Sequence, residues 1–147
     1  DAVLFDLGVV YEGYCSDITR TVFFDHVPEK GKEIYNIVLH AELLALEACK
    51  PGNEIAALDN VARNWIAEKG YGAHFPHRIG HGLGIGVHEY PSLTNMNKNK
   101  LLPGMTFTIE PGIYIPNELG VRIEDDVLIT ENGYETLTKF PKELIVI

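Results

Sequence analysis

Three of the chain's six histidines, His77, His81 and His88, fall in one stretch, Pro76-His-Arg-Ile-Gly-His-Gly-Leu-Gly-Ile-Gly-Val-His-Glu-Tyr-Pro91. Gly80, Gly82, Gly84 and Gly86 alternate with larger residues between them. Glycine at that density weakens any helix or strand that holds it. The stretch is therefore expected to let backbone pass close to a ligand and to leave its imidazoles aimed at one. It reads as the floor of a metal site with a substrate pocket beside it, the glycines giving clearance for metal and peptide. Acids supply the rest of the argument. Asp6 follows Val3-Leu4-Phe5, Glu110 follows Phe107-Thr108-Ile109, and Glu124 follows Val121-Arg122-Ile123. A carboxylate on an apolar strand is costly to bury without a partner, and a cation is the strongest partner available. Asp17, eleven positions beyond Asp6, reaches the same sheet face if the chain reverses between them. Four carboxylates and one histidine suit two divalent ions of the Mn, Fe, Co or Zn type, and an oxygen-rich set leans towards Mn. Two such ions, roughly 3.5–4 Å apart, share a water, lower its pKa and stabilise the charge of a tetrahedral intermediate.

Those side chains need a scaffold. The chain has 147 residues, of which 46% are hydrophobic, enough for one core. Residues 2–24 read as an antiparallel meander of three short strands, 2–5, 9–11 and 14–24, with turns at Leu7-Gly8 and Glu12-Gly13. Pro28-Glu29 opens a helix, proline and acid both suiting a first turn. Its apolar stripe Ile34, Ile37, Val38, Ala41, Leu44, Ala45, Ala48 ends near Cys49. A second helix runs from Asn53, read as its N-cap, to Gly70, with the stripe Ile55, Leu58, Ala62, Trp65, Ile66. Strands are expected at 105–110, 113–115, 121–130 and 134–137, and an exposed loop at Asn95–Lys100. Strands, a helix pair and strands again make an α+β fold, an antiparallel sheet covered by helices.

Composition excludes some functions. The net charge is −9 and no basic run interrupts it, which argues against nucleic acid as a partner. Cys15 and Cys49 lack metal-type spacing and read as free thiols in a reducing cytosol. No apolar run approaches the length of a membrane span and no leader is evident, so a cytoplasmic protein without membrane association is expected. The chain opens directly on a strand of apolar residues, which predicts that it is part of a longer polypeptide.

The segment Leu4-Phe-Asp-Leu-Gly-Val-Val-Tyr-Glu-Gly-Tyr-Cys-Ser-Asp-Ile-Thr-Arg-Thr21 resembles the first metal motif of the pita-bread metallopeptidases. These are the methionine aminopeptidases, Xaa-Pro aminopeptidases and Xaa-Pro dipeptidases (prolidases). His77 to Glu89 resembles the second motif, Thr108-Ile-Glu-Pro-Gly-Ile-Tyr114 the third, and Val121-Arg-Ile-Glu-Asp125 the fourth. Order and spacing agree across almost the whole chain. The resemblance implies the pita-bread fold, a curved antiparallel sheet covered by helices, with residues 1–147 forming the C-terminal portion of a catalytic domain. It implies five metal ligands: Asp6 on one ion, His81 and Glu110 on the other, Asp17 and Glu124 bridging. The cofactors would be two divalent metal ions, Mn²⁺ first and Co²⁺ or Zn²⁺ as alternatives.

The same resemblance implies a metal-activated water as nucleophile, with Glu110 taking its proton. His88 would hydrogen-bond the scissile carbonyl and His77 would line the pocket. Arg122 would orient the bridging carboxylates, and Tyr114 would stand in the pocket or behind it. The run Tyr11-Glu-Gly-Tyr-Cys-Ser-Asp-Ile-Thr-Arg20, His88-Glu-Tyr-Pro91 and Glu110-Pro-Gly-Ile-Tyr114 favour the proline-directed branch. The expected function is an exopeptidase that hydrolyses the peptide bond before proline in Xaa-Pro dipeptides, as a homodimer. The alternatives are an Xaa-Pro aminopeptidase on longer peptides, a non-catalytic binding module on the same fold, and a metal-free creatinase-like hydrolase. His26, His40 and His74 are expected to be surface or structural residues. Glu89, Asp125 and Asp126 are expected to be solvated or bonded locally.

Overall fold

A computed structural model describes residues 1–147. Strands β1 (Ala2–Leu7) and β4 (Ile18–Phe23) pair antiparallel, from Ala2 opposite Phe23 to Leu7 opposite Ile18. Between them β2 (Val10–Tyr11) pairs with β3 (Tyr14–Cys15). The expected meander is thus one long hairpin with a break in each arm. The chain does not turn at Leu7-Gly8; it reverses once, at Glu12-Gly13, where φ is 49° and 87°. The breaks fall at Gly8 and at Ser16-Asp17, where the arms cross closely. A Cβ on Gly8 would lie 2.0 Å from the Ser16 carbonyl oxygen, so no larger residue fits there. Asp17 is left outside the ladder, free to turn its side chain inward.

Helices α1 (Glu29–Glu47) and α2 (Ile55–Glu68) follow. Their stripes form one core with the sheet: Ile34, Val38, Ala41, Leu58, Ala62 and Ile66 are fully buried with Phe107, Ile109, Val121 and Ile129. Asn53 does not cap α2. The residue at that position is Glu54, without a side-chain cap, and Asn53 instead donates to the Ala48 carbonyl at 2.9 Å. It ties off the preceding helix, whose last carbonyls need partners.

The main sheet is antiparallel and five-stranded, in the order β11 (Gly133–Thr136), β10 (Asp125–Thr130), β7 (Thr106–Ile109), β5 (Gly80–Gly82), β6 (Glu89–Leu93). Strands β8 (Gly112–Ile115) and β9 (Leu119–Arg122) form a separate hairpin. The single strand expected over 121–130 is therefore broken at Ile123-Glu124. Before the break the chain pairs with β8; after it, with β7 and β11. At the break Glu124 N donates to the Thr19 carbonyl at 3.1 Å, a lone bridge to the N-terminal hairpin. No helix is long and apolar enough to cross a membrane.

Candidate metal centre

Three of the four side chains that gather at the centre sit where a strand stops or is interrupted. Asp17 lies in the gap before β4, Glu110 just past β7, and Glu124 between β9 and β10. His81 is in the middle of β5, between β6 and β7. Asp17, His81 and Glu124 are buried and each offers a ligand atom within 4.8 Å of the others. His81 Nε2 lies 3.3 Å from Glu110 Oε1 and 3.8 Å from Asp17 Oδ2. The other ring nitrogen, Nδ1, is 3.0 Å from the Gly82 carbonyl. A carbonyl only accepts, so Nδ1 carries the hydrogen and Nε2 faces the acids with its lone pair. Burial lowers the His81 pKa from its ordinary value, which favours that neutral, ligating form.

Two of the glycines, Gly80 and Gly82, serve a different purpose from the one expected. A Cβ at Gly80 would lie 1.9 Å from the Thr108 carbonyl oxygen, and one at Gly82 would lie 2.3 Å from that of Tyr90. Neighbouring strands, not metal and peptide, occupy the space. Glycine here lets β5 pass tightly between β7 and β6 and so places His81.

The acids crowd one another. Burial, with the Glu110 and Asp17 charges, pushes Glu124 up to about 8. Burial likewise pushes Glu110 up to about 7, and burial with the nearby Asp6 charge raises Asp17. Arg122 and Arg78 do not offset this. Such a set, several oxygens and one neutral imidazole short of positive charge, has the donor chemistry that a divalent ion of the Mn or Zn type takes. Asp6 stands apart. Its side chain is half exposed and pairs with Arg122 Nη2, so the structure does not bring it to the other four.

Arg122 is a junction. Nε donates to Thr19 Oγ1 at 3.1 Å, and that hydroxyl in turn donates to Glu124 Oε2. Nη1 donates to the Tyr114 hydroxyl at 3.1 Å, which donates to His77 Nε2 at 2.9 Å. His77 Nδ1 donates to the Arg78 carbonyl at 2.8 Å. Arg122, Tyr114 and His77 thus form one directed relay along the wall. His88 differs: it is exposed, its ring stands steeply inclined to the His81 ring with centroids 4.2 Å apart, and it faces a cavity of about 350 Å³ shared with Asp6, Val10, Cys15, Asp17 and Val87. His26, His40 and His74 take no part; they sit beside Asp25, on the Trp65 ring and against the Tyr114 carbonyl.

The sequence model for metallopeptidase family M24 matches residues 1–131. The chain belongs to that family. It is 58% identical over 140 residues to an uncharacterized peptidase of Staphylococcus aureus (strain MRSA252), a match covering 95% of this chain and 40% of the relative. The prolidase from Pyrococcus horikoshii OT3 superposes with a TM-score of 0.97 at 54% identity, over 99% of this chain and 42% of that one. The X-Pro aminopeptidase from Thermotoga maritima MSB8 gives 0.97 at 44% identity, over 100% and 42%. The fold is the α+β pita-bread fold, and the chain spans about two-fifths of the length of the curated relatives it matches.

Several residues that hold this M24 site were not foreseen. Thr108 Oγ1 donates to Glu110 Oε1 at 3.2 Å and accepts from His81 N at 3.1 Å. Asp126 Oδ2 accepts from Asp17 N at 3.0 Å. Asp125 and Asp126 are not solvated: they are 0% and 3% exposed, because the strand they follow turns into the core at Ile123. On α2, Arg63 grips Asp59 through two bonds, and donates to the carbonyls of Phe75 and His77 at 2.9 and 2.7 Å. Asp59 Oδ1 accepts from Ile79 N at 3.0 Å. Signals for these existed: Thr19 and Thr108 lie two positions from Asp17 and Glu110, the same-face spacing of a strand, and Asp59 and Arg63 have the i, i+4 spacing of a helical ion pair.

Proposed function

We propose that this chain carries the metal-binding and proton-transfer machinery of a dinuclear Xaa-Pro dipeptidase, which hydrolyses the peptide bond before proline. The observation that carries the reading is the His81 Nε2 lone pair facing Glu110 and Asp17, with Glu124 in the same buried cluster. Similarity to a prolidase and to an X-Pro aminopeptidase supports it, the former at the higher identity. Asp17, His81, Glu110 and Glu124 would hold the metal, and Asp6 would complete the set by exchanging Arg122 for an ion. Two Mn²⁺ ions fit the oxygen-rich donors, with Co²⁺ or Zn²⁺ as substitutes.

When bound, the metal supplies Lewis-acid chemistry, making a water acidic and stabilising negative charge on the carbonyl oxygen. The protein's own groups do the rest. Glu110, oriented by the Thr108 hydroxyl, takes the water proton on its carboxylate and returns it to the departing proline nitrogen. His88, free at the cavity, donates from its ring to the scissile carbonyl oxygen. Arg122, held by Thr19 and Tyr114, keeps Glu124 in place while the His77–Tyr114 pair walls the substrate side.

The deciding experiment compares Ala-Pro with a longer Xaa-Pro peptide on the full chain reconstituted with Mn²⁺. Faster turnover of the dipeptide is expected. Equal or faster turnover of the longer peptide replaces this reading with an Xaa-Pro aminopeptidase, which the Thermotoga similarity favours as second choice. Bound metal with no turnover of either leaves a binding module on this fold.

A further inference from the structure

Arg20 follows the Thr19 that steadies Glu124, and it is buried to 6% exposure. Arginine has five N–H donors, and all are used. Nη1 donates to the carbonyls of Thr19 at 2.9 Å and Glu124 at 2.6 Å. Nη2 donates to Asp125 Oδ1 and to the Phe140 carbonyl, both at 2.7 Å. Nε donates to the Pro141 carbonyl at 3.1 Å. One planar guanidinium therefore joins the two backbone segments of the metal centre to a C-terminal stretch that supplies none of the proposed ligands.

That stretch is itself fastened to α1. The Lys142 ammonium sits between Glu42 Oε1, at 2.6 Å, and Asp125 Oδ2. The Tyr35 hydroxyl donates to the Lys142 carbonyl at 3.0 Å, and Thr138 Oγ1 donates to Asp125 Oδ1 at 2.5 Å. Glu42 is wholly buried on the apolar face of α1. Burying such a network brings little net stability over well-packed apolar residues, so its geometric effect is the notable one. It fixes Asp125, and Asp125 adjoins Glu124. The M24 match ends at residue 131, so Thr138 to Lys142 lie beyond what family membership describes.

We propose that Arg20, Asp125 and Lys142 form a positioning clamp through which the C-terminal stretch sets the affinity of the metal centre. This rests on the reading of Asp17, His81, Glu110 and Glu124 as metal ligands. The clamp holds the Thr19 and Glu124 segments at one separation, and through the Thr19 hydroxyl it holds the Glu124 carboxylate. Loss of an outer partner of this kind costs roughly 10–100-fold in metal affinity.

The test is Mn²⁺ titration by calorimetry on the full chain, alongside thermal midpoints. Lys142→Met is expected to weaken Mn²⁺ binding about tenfold or more, and Lys142→Arg, which keeps a cation between the two acids, to recover most of it. A folded Lys142→Met protein with wild-type Mn²⁺ affinity overturns the clamp even if its midpoint falls, because a merely structural contact would do that. If Lys142→Met does not fold, Asp125→Asn, of similar shape, is titrated instead; unchanged affinity there overturns the clamp equally. A wild-type protein that binds no Mn²⁺ overturns the metal reading itself, and the clamp with it.

Discussion

Asp6 and Glu124 belong to the same expected ligand set, yet the molecule treats them differently. Glu124 sits at a break where the chain changes partners, is buried, and is held by the Thr19 hydroxyl and by its own backbone bonds to Thr19 and Arg20. Asp6 sits inside a regular ladder opposite Thr19, half exposed, and its carboxylate has Arg122 as partner. Strand interruptions are where a protein can aim a side chain and surround it with fixed donors. A ladder position leaves the side chain to whatever charge lies nearby. The inner acids are therefore built to stay crowded without a cation, whereas Asp6 can exchange one positive partner for another. Breaking the inner group should cost catalysis and metal; breaking the Asp6 side should cost an ion and little else.

The largest effect is expected at Glu110. Glu110→Ala removes the proposed proton acceptor and a ligand, and kcat/KM for Ala-Pro should fall by at least 10²–10⁴-fold. His81→Ala should likewise abolish metal-dependent hydrolysis. Near-normal turnover by either variant refutes the site.

Next comes the support behind the histidines. Asp59→Ala strips Arg63 of its carboxylate and takes from Ile79 N one of its two acceptors, leaving the Leu93 carbonyl. Depriving the part-buried guanidinium of its charged partner costs about 1–3 kcal/mol, which urea denaturation of the metal-free protein would measure. A change below about 0.5 kcal/mol would show that α2 contributes packing only.

These residues also mark what was legible in the sequence. The helices were, because Ile34, Val38, Ala41 and Ala45 repeat at the helical period without interruption. The residues that gather at the centre, Asp17, His81, Glu110 and Glu124, were legible as motif and spacing. The break at Ile123-Glu124 was not. Apolar residues continue through it at Val121, Ile123, Val127 and Ile129, all buried, and a change of strand partner is a tertiary event without a local signature. Asp125 and Asp126 were misread for the same reason. Their partners, Arg20, Lys142 and the Asp17 amide, are remote in sequence, so the local pattern showed only acids in a polar run. Gly80 and Gly82 differ in another way: their density implies a close approach, but the approaching group is backbone of β7 and β6, whereas Gly84 and Gly86 face the Glu89 side chain.

A smaller effect separates the inner acids by pH. In the metal-free protein Glu110 is pushed up to about 7 and Glu124 to about 8, chiefly by burial. Acids with raised folded pKa values bind more protons in the native than in the unfolded state, so the stability they contribute is present at low pH and lost as pH rises through those values. Asp126, pushed up to about 7 by burial, acts in the same direction. His77 and His81, lowered by burial, act oppositely, but only as pH falls below the ordinary histidine range. Between about pH 6.5 and 8 the metal-free protein should therefore lose thermal midpoint, by a few degrees per ~1 kcal/mol. Saturating Mn²⁺ should reduce that slope by replacing the protons on Glu110 and Glu124, leaving the part due to Asp126 and to Glu42, which burial also pushes up to about 8. A metal-free midpoint that rises over this interval would mean that the acids are not crowded in solution.

The smallest expected effect is on stability at Asp6. In the metal-free protein its carboxylate makes a half-exposed ion pair with Arg122, and such pairs contribute about 0–1 kcal/mol. Asp6→Asn should leave the urea midpoint nearly unchanged, while Asp17→Asn alters a side chain inside the buried cluster. After Mn²⁺ reconstitution Asp6→Asn should retain one ion where the wild type holds two, because His81, Glu110, Asp17 and Glu124 are placed without it. Two ions retained in Asp6→Asn would remove Asp6 from the ligand set and leave it as the counterion of Arg122. Loss of both would show that the inner cluster depends on the edge strand after all, and that burial alone does not make it ready for metal.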